Sequence, residues 1–344
     1  MALPFGSPIE PMLAKLAREI PRGEGWLYEP KWDGFRAIVF RDGSDVYVQS
    51  RDRRPFNRYF PDLIPLLSDA LPKRCVVDGE IVITGDGGLD FDALQLRIHP
   101  AASRVVMLSE QTPASFFAFD LLALGSTDLR RVALVTRRRR LERALGKAPP
   151  SQSVRAALKK PGSKVLVTPQ TAEAKTASRW LTDFAALGLD GVVAKRPDLL
   201  YLPGERAMVK VKKQRTVDCV VGGYRLSKSG DGVGSLLLGL YDDSGVLHYV
   251  GHTSSFKADE RRRLLKELRL LEGGRSFGGG RAPGGPSRWT GGRDTSWVPL
   301  EPVLVCEVSF DRMQGDRFRH AATFLRWRTD KRPEECTFEA LAVS

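Results

Sequence analysis

Short stretches in which apolar and polar residues alternate, or in which β-branched and aromatic residues cluster, recur through the first two hundred residues: FRAIVFR, DVYVQSR, CVVDGEIVI and SFFAFDLL. Each reads as a strand, because successive side chains of an extended chain face opposite ways. Helical patterning is scarcer. TRRRRLERALG, starting at Thr136, offers an N-cap hydroxyl, apolar Leu141, Ala144 and Leu145, and Gly146 as a stop. Its four consecutive arginines read as a solvated face, with a dedicated contact as the lesser reading. After KVKKQR a fresh set of strands begins, VDCVVGGYRL, GSLLLGLYD and VLHYVGH, followed by an amphipathic helix carrying Leu264, Leu265, Leu268 and Leu271. That set suits a small five-stranded barrel. Residues 273–292 are Gly-rich, with Arg275, Arg281, Arg288 and Arg293 within or beside them, and read as a mobile surface loop. The boundary between the two patterns falls near Gln214 to Val217. The expectation is an α+β chain with one domain over 1–214, built of antiparallel sheets and helices, and a β-barrel over 215–344.

Length agrees with two domains, since 344 residues exceed the usual single core. The informative quantity is charge. Lys and Arg total 54 against 41 Asp and Glu, a net +13, which favours a polyanionic partner. A membrane surface is the competing polyanion, but no apolar run approaches the roughly 20 residues of a spanning helix. The N-terminal MALPFGSPIEPMLA lacks a basic region ahead of an apolar one, so no secretory leader is read and a bacterial-type cytoplasm or a nucleus is expected. Cys75, Cys219, Cys306 and Cys336 are widely scattered, which predicts reduced, mostly buried thiols rather than a disulfide framework or a zinc site.

The candidate chemistry centres on Tyr28-Glu29-Pro30-Lys31-Trp32-Asp33-Gly34-Phe35-Arg36, which sets a lysine between two predicted strands. A lysine is a nucleophile only when neutral, so its ordinary pKa of about 10.4 must fall through burial or neighbouring cations. Pro30 and Gly34 suit a tight turn, and Arg36 can meet a phosphate or sugar oxygen. No G-x-x-x-x-G-K-[ST] segment offers another phosphate cradle, because Gly146-Lys147 is followed by Ala148. Further motifs follow in order: Ser50-Arg51; Asp78-Gly79-Glu80; Phe119-Asp120; Asp190-Gly191-Val192-Val193-Ala194-Lys195; Met208-Val209-Lys210-Val211-Lys212; and Arg326-Trp327-Arg328-Thr329-Asp330-Lys331. Strand alternation puts Asp78 and Glu80 on one face, and Lys210 and Lys212 on another.

Lys31, Asp33, Gly34 and Arg36 match K-x-D-G-x-R, and with the ordered motifs the chain resembles the covalent nucleotidyltransferases, specifically ATP-dependent DNA ligases. The resemblance implies an adenylation (nucleotidyltransferase) domain followed by a C-terminal oligonucleotide-binding (OB-fold) barrel. It implies ATP as cofactor with Mg2+, Mn2+ being the alternative metal. It makes Lys31 the nucleophile and gives Arg51 a phosphate, Glu80 the ribose or metal, Phe119 the adenine face, and Lys210 and Lys212 the α-phosphate. Glu29, Arg36 and Lys195 join the nucleotide-binding set, and Asp190 is the second metal ligand although the family usually has glutamate there. Arg328 and Lys331 orient pyrophosphate. Asp52 also departs from the pattern, since glycine commonly follows the second arginine motif.

The implied cycle is attack of Lys31 on ATP, transfer of AMP to the 5′-phosphate of a nick, and sealing by the 3′-hydroxyl. The C-terminal motif must approach ATP and then withdraw, which implies a hinge near residue 214. Nicked duplex DNA is the expected partner, bound with salt dependence and little base preference. DNA contact is also the lesser reading of the 273–292 tract. The chain resembles the compact bacterial ligase C group and the ligase module of end-joining proteins. That implies repair, action as a monomer near the nucleoid, and a repair polymerase or end-binding protein as further partner. The alternatives are an mRNA-capping-type guanylyltransferase, an RNA ligase, or a non-catalytic OB-fold binding protein. An NAD-dependent ligase is disfavoured, because no four-cysteine finger is readable.

Overall fold

The structure is a computed structural model that describes residues 2–85, 87–147, 158, 164–183, 187–212, 215–274, 276–278, 283 and 296–341. Tertiary contacts divide the chain into two compact units, Met1–Lys213 and Gln214–Ser344. Residues 213 and 214, where the hinge is expected, lie outside the described residues.

The first unit contains β1 (Leu13–Ala17), β2 (Leu27–Lys31), β3 (Phe35–Asp42), β4 (Asp45–Ser50), β5 (Arg74–Gly85), β6 (Gly88–Leu89), β7 (Ala114–Leu124), β8 (Thr127–Asp128), β9 (Val165–Val167), β10 (Gly191–Lys195) and β11 (Arg206–Lys212). They form two sheets. One has the order β1-β11-β10-β2, with β1 parallel to β11 and the other pairs antiparallel. The other runs β4-β3-β5-β7-β8, with β6 beside β5 and β9 parallel to β7. Period-two alternation sorts its side chains into two layers. Ala37, Val39, Val77, Ile81, Phe116 and Ala118 pack with Leu63 and Leu67 of the helix Leu63–Ala70 and Leu141 of the helix Leu134–Leu145. Each large aliphatic buried there contributes roughly 1.5–3 kcal/mol. Ile38, Phe40 and Val76 face the other way and join Met12, Tyr201 and Met208. Arg36, Asp78 and Glu80 continue that second face.

Two local departures shape the site. Asp78 pairs with Asp120 and Gly79 with Ala118, so Phe119 is the extra residue of a β-bulge, a device that re-aims a side chain. Opposite it, a Cβ on Gly79 would lie 2.3 Å from the Phe116 ring, so only glycine lets β5 and β7 approach.

The arginine-rich helix differs from its sequence reading. It begins at Leu134 with Ala133 as its cap residue, and Thr136 lies inside it rather than at its N-cap. Leu134, Arg137, Arg138 and Leu141 are its buried residues, an i, i+3, i+4, i+7 stripe in which two arginines occupy core positions. Half of the run is therefore not a solvated face, while Arg139 remains exposed. Arg137 is satisfied by Asp120, at 2.7 and 2.9 Å, and by the carbonyls of Val132 and Leu199.

The second unit contains β12 (Arg215–Leu226), β13 (Val233–Tyr241), β14 (Leu247–Thr253), β15 (Val298–Pro299), β16 (Val305–Phe310), β17 (Met313–Gln314), β18 (Arg317–Phe318) and β19 (Thr323–Trp327). The path β14-β13-β12-β16-β19 is antiparallel. Its two edges meet through a bridge between Thr253 and Ala322, with the Ala322 N–H donating to the His252 carbonyl at 2.9 Å. This is the five-stranded OB-type barrel. The helix Ala258–Leu268 packs Leu264, Leu265 and Leu268 against its core. Of the Gly-rich tract, Phe277 packs beside Gly222 and against Tyr249 and Trp297, so this part belongs to the barrel. Arg275, Arg281, Arg288 and Arg293 lie outside the described residues. All four cysteines are free and buried, and strand pairing sets Cys219 opposite Cys306. Burial pushes the Cys75 and Cys336 thiols up to about 12, which keeps them protonated and unreactive.

Candidate active site

One pocket of the first unit draws its walls from both sheets. Lys31 and Glu29 come from β2, Arg36 from β3, Glu80 from β5, Phe119 from β7, Lys195 from β10 and Lys210 from β11, while Trp32 and Arg51 follow β2 and β4. Its lining sets Lys31, Arg36, Arg51, Lys195, Arg206 and Lys210 against Glu29 and Glu80, so the charge balance favours an anionic ligand.

Lys31 is the last residue of β2, and the turn after it depends on Gly34, where a Cβ would lie 2.3 Å from the Ile81 carbonyl oxygen. Lys31 Nζ reaches Asp190 Oδ2 at 2.5 Å, and Lys212 Nζ reaches the same oxygen at 3.1 Å. The Asp190 N–H donates to the Lys31 carbonyl at 2.9 Å, which ties the two motifs by backbone as well as charge. Asp190 and Lys212 lie next to the pocket rather than in its lining. Burial lowers the pKa of Lys210, and the charges of Lys31, Lys212 and Arg51 lower it further. Four cations are thus gathered within electrostatic reach of one another.

Glu80 behaves oppositely. Burial raises its carboxyl to about 7, against the pull of Lys31 and Arg36. Beside it Arg36 donates to both oxygens of Asp78, at 3.0 and 2.6 Å, and to the Met12 carbonyl at 2.5 Å. Asp78 also accepts from the Tyr201 hydroxyl at 2.7 Å. Arg36 is therefore pinned to the sheet before any ligand meets it.

The Phe119 ring has Lys195 Nζ 4.8 Å and the Arg36 guanidinium 5.3 Å from its centroid. Lys195 Nζ is also 2.6 Å from Glu29 Oε2, so one ammonium links the Glu29 carboxylate and the aromatic ring, both of which line the pocket. Glu29 Oε1 accepts from Gln170 Nε2 at 2.8 Å. Trp32 stacks on Phe117 with centroids 4.2 Å apart, and its indole N–H donates to Thr168 Oγ1 at 3.0 Å.

The structure thus brings Glu29, Lys31, Arg36, Arg51, Glu80, Phe119, Lys195 and Lys210 together, with Asp190 and Lys212 beside them. Arg328 and Lys331 belong to the second unit. There Arg328 donates to both oxygens of Asp218 at 2.9 Å, and Lys331 reaches Asp218 at 2.9 Å. Sequence reasoning missed Arg206, Gln170, Thr168, Asp218 and Arg138, none of which stands in a motif. The helical stripe shared by Arg137 and Arg138 was the available signal.

Among the described residues no three or more His, Cys, Asp or Glu side chains converge as a metal cage. Glu80 lines the pocket and Asp190 lies beside it, and carboxylates are the donor type that a hard cation such as magnesium takes.

The family described as ATP dependent DNA ligase domain matches residues 11–212, and the ATP dependent DNA ligase C terminal region matches residues 229–331. The chain belongs to the ATP-dependent DNA ligases. DNA ligase C2 of Mycolicibacterium smegmatis is 50% identical to this ligase over 361 residues, covering 99% of this chain and 96% of its own. DNA ligase C of Mycobacterium tuberculosis is 50% identical over 353 residues with the same coverage. A solved Lig E DNA ligase covers 93% of this ligase and 99% of its own chain at 17% identity with a TM-score of 0.52, a likeness of fold alone. The pocket residues of this ligase fall within the first match, and Arg328 and Lys331 within the second.

Proposed function

We propose that this ligase seals 5′-phosphate/3′-hydroxyl nicks in duplex DNA, with Lys31 as the residue that carries AMP. The observation that supports it most is the position of Lys31 at a pocket holding an aromatic platform, a buried carboxylate and a surplus of cations. The ion pair with Asp190 opens and the Lys31 ammonium gives up a proton to solvent. The freed nitrogen then attacks the α-phosphorus, so that an N–P bond forms while the P–O bond to pyrophosphate breaks. Lys210, Lys212 and Arg51 stabilise the charge that builds on the phosphate oxygens. Glu80 and Asp190 would hold magnesium, whose contribution is further neutralisation of phosphate charge. Arg328 and Lys331 attend the departing pyrophosphate. AMP then passes to the 5′-phosphate of the nick, and the 3′-hydroxyl displaces it.

Base identity follows from chemistry beside Phe119. A flat ring accommodates a purine, and the adjoining Glu29 carboxylate can only accept hydrogen bonds, so it suits the 6-amino group of adenine and repels the 6-oxygen of guanine. ATP rather than GTP is the expected donor.

A repair role is part of the same proposal. The multifunctional non-homologous end joining DNA repair protein LigD of Mycobacterium tuberculosis is 31% identical over 91% of this chain and 37% of its own length. A repair polymerase or end-binding protein is the partner expected to deliver a nick to this ligase, acting as a monomer in the cytoplasm at the nucleoid. No helix among the described residues is long and apolar enough to cross a membrane.

The test is sealing of a 5′-phosphorylated nick with ATP and magnesium by the wild type and by Lys31→Ala. Sealing by the wild type alone supports the assignment. Sealing by both removes Lys31 from its role, and sealing by neither shifts the assignment to a capping-type or RNA-directed enzyme.

A further inference from the structure

We propose that Arg138 is a positioning residue for nucleotide selection, holding the Glu29 carboxylate against the base so that the pocket prefers a purine with a 6-amino group. The inference rests on the reading of Glu29 given above. Arg138 sits behind the pocket wall on the helix Leu134–Leu145, does not line the pocket, and is 4% exposed. Two of its three nitrogens are committed elsewhere. Nε donates to Glu142 Oε1 at 2.7 Å and Nη2 donates to the Thr168 carbonyl. Because a guanidinium is planar and rigid, these two anchors fix the third nitrogen.

That third nitrogen, Nη1, is buried, makes no hydrogen bond and lies 3.7 Å from Glu29 Oε1. At this separation it acts through charge and contact rather than as a hydrogen-bond donor. Glu29 Oε1 and Oε2 are meanwhile bound by Gln170 and Lys195, both on flexible stems. Arg138 is the stiff member of the trio. It is a fixed positive stop that keeps the carboxylate from rotating away, and a buried cation placed at such a carboxylate explains why an arginine occupies a core position. The same guanidinium supports a second wall, since Thr168, whose carbonyl it binds, accepts the Trp32 indole N–H at its hydroxyl. One side chain thereby steadies both the polar and the aromatic boundary of the base site.

The experiment compares single-turnover AMP transfer to the protein from ATP and from purine riboside 5′-triphosphate, which lacks the 6-amino group. Wild type, Arg138→Met, Arg138→Lys and the exposed neighbour Arg139→Met are used. Arg138→Met leaves Glu29 with Lys195 and Gln170, so no buried charge is stranded. The wild type is expected to prefer ATP by on the order of 10- to 100-fold. In Arg138→Met the KM for ATP rises and the preference shrinks by about tenfold, while the rate at saturating ATP changes much less. Arg138→Lys restores part of the preference, and Arg139→Met matches the wild type. A merely structural arginine would slow both triphosphates equally, and an unchanged preference in Arg138→Met overturns the proposal. A wild type that fails to distinguish the two triphosphates overturns the Glu29 reading itself, while AMP labelling of Lys31 would still stand.

Discussion

Replacing Glu80 by glutamine tests the electrostatics of the pocket most directly. Burial lifts this carboxyl to about 7, partly offset by Lys31 and Arg36. Below that point it is mostly protonated, and above it a carboxylate is available to a cation. For a single titration the ionised fraction falls from roughly 0.9 at pH 8 to roughly 0.1 at pH 6, a tenfold loss. A raw rate profile also carries the pH dependence of every other step. Glu80→Gln retains those steps, and the ratio of wild type to variant isolates the Glu80 titration. In single-turnover transfer of labelled AMP from ATP, that ratio should be large and level above about pH 8, then drop about tenfold per pH unit below 7. More magnesium should move the midpoint down, because a bound cation favours the carboxylate. A ratio that stays constant between about pH 6 and pH 8 would refute the reasoning. Stability should run the other way. The folded-state pKa lies above the unfolded one, so Glu80 favours folding at low pH and loses that contribution as pH rises towards 7. Glu80→Gln should therefore be the more stable protein at pH 8, by about 2 kcal/mol after allowance for partial exposure.

Two other substitutions separate chemistry from architecture. Asp218→Asn leaves Arg328 and Lys331 without their shared carboxylate and should slow lysyl-AMP formation by about tenfold while sparing the sealing of a pre-adenylylated nick; equal loss in both steps would show that Asp218 serves the barrel as a whole. Gly79→Ala should destabilise the first unit by roughly 1–3 kcal/mol in chemical denaturation, because the Phe116 ring and the Phe117 carbonyl occupy the space its Cβ needs.

Local pattern carried much of the fold. Strands built on a two-residue period were legible, and so was the face that groups Asp78 with Glu80, because both depend on neighbours within one strand. The motifs made Lys31, Glu80, Phe119 and Lys210 visible for the same reason. What escaped was decided by distant partners. Arg137 and Arg138 look like solvated charge until Asp120 and Glu29 are brought to them by strands β7 and β2, and burial of a guanidinium is tolerable only with such partners. Thr136 resembled an N-cap by residue type, but the helix had already started at Leu134, an apolar residue whose burial outweighs a missing cap. The bulge at Phe119 is a property of two strands in register, which neither strand states alone.

The pairing of β1 with β11 has a consequence for how this protein is made. Leu13 lies beside Arg206 and Leu16 beside Lys210, so the earliest-synthesised strand waits for the last strand of its unit before the sheet, and with it the pocket, can close. Contacts this remote in sequence are slow to form. A nascent chain released or stalled before Lys212 would hold most of the site residues without the strand that completes their sheet.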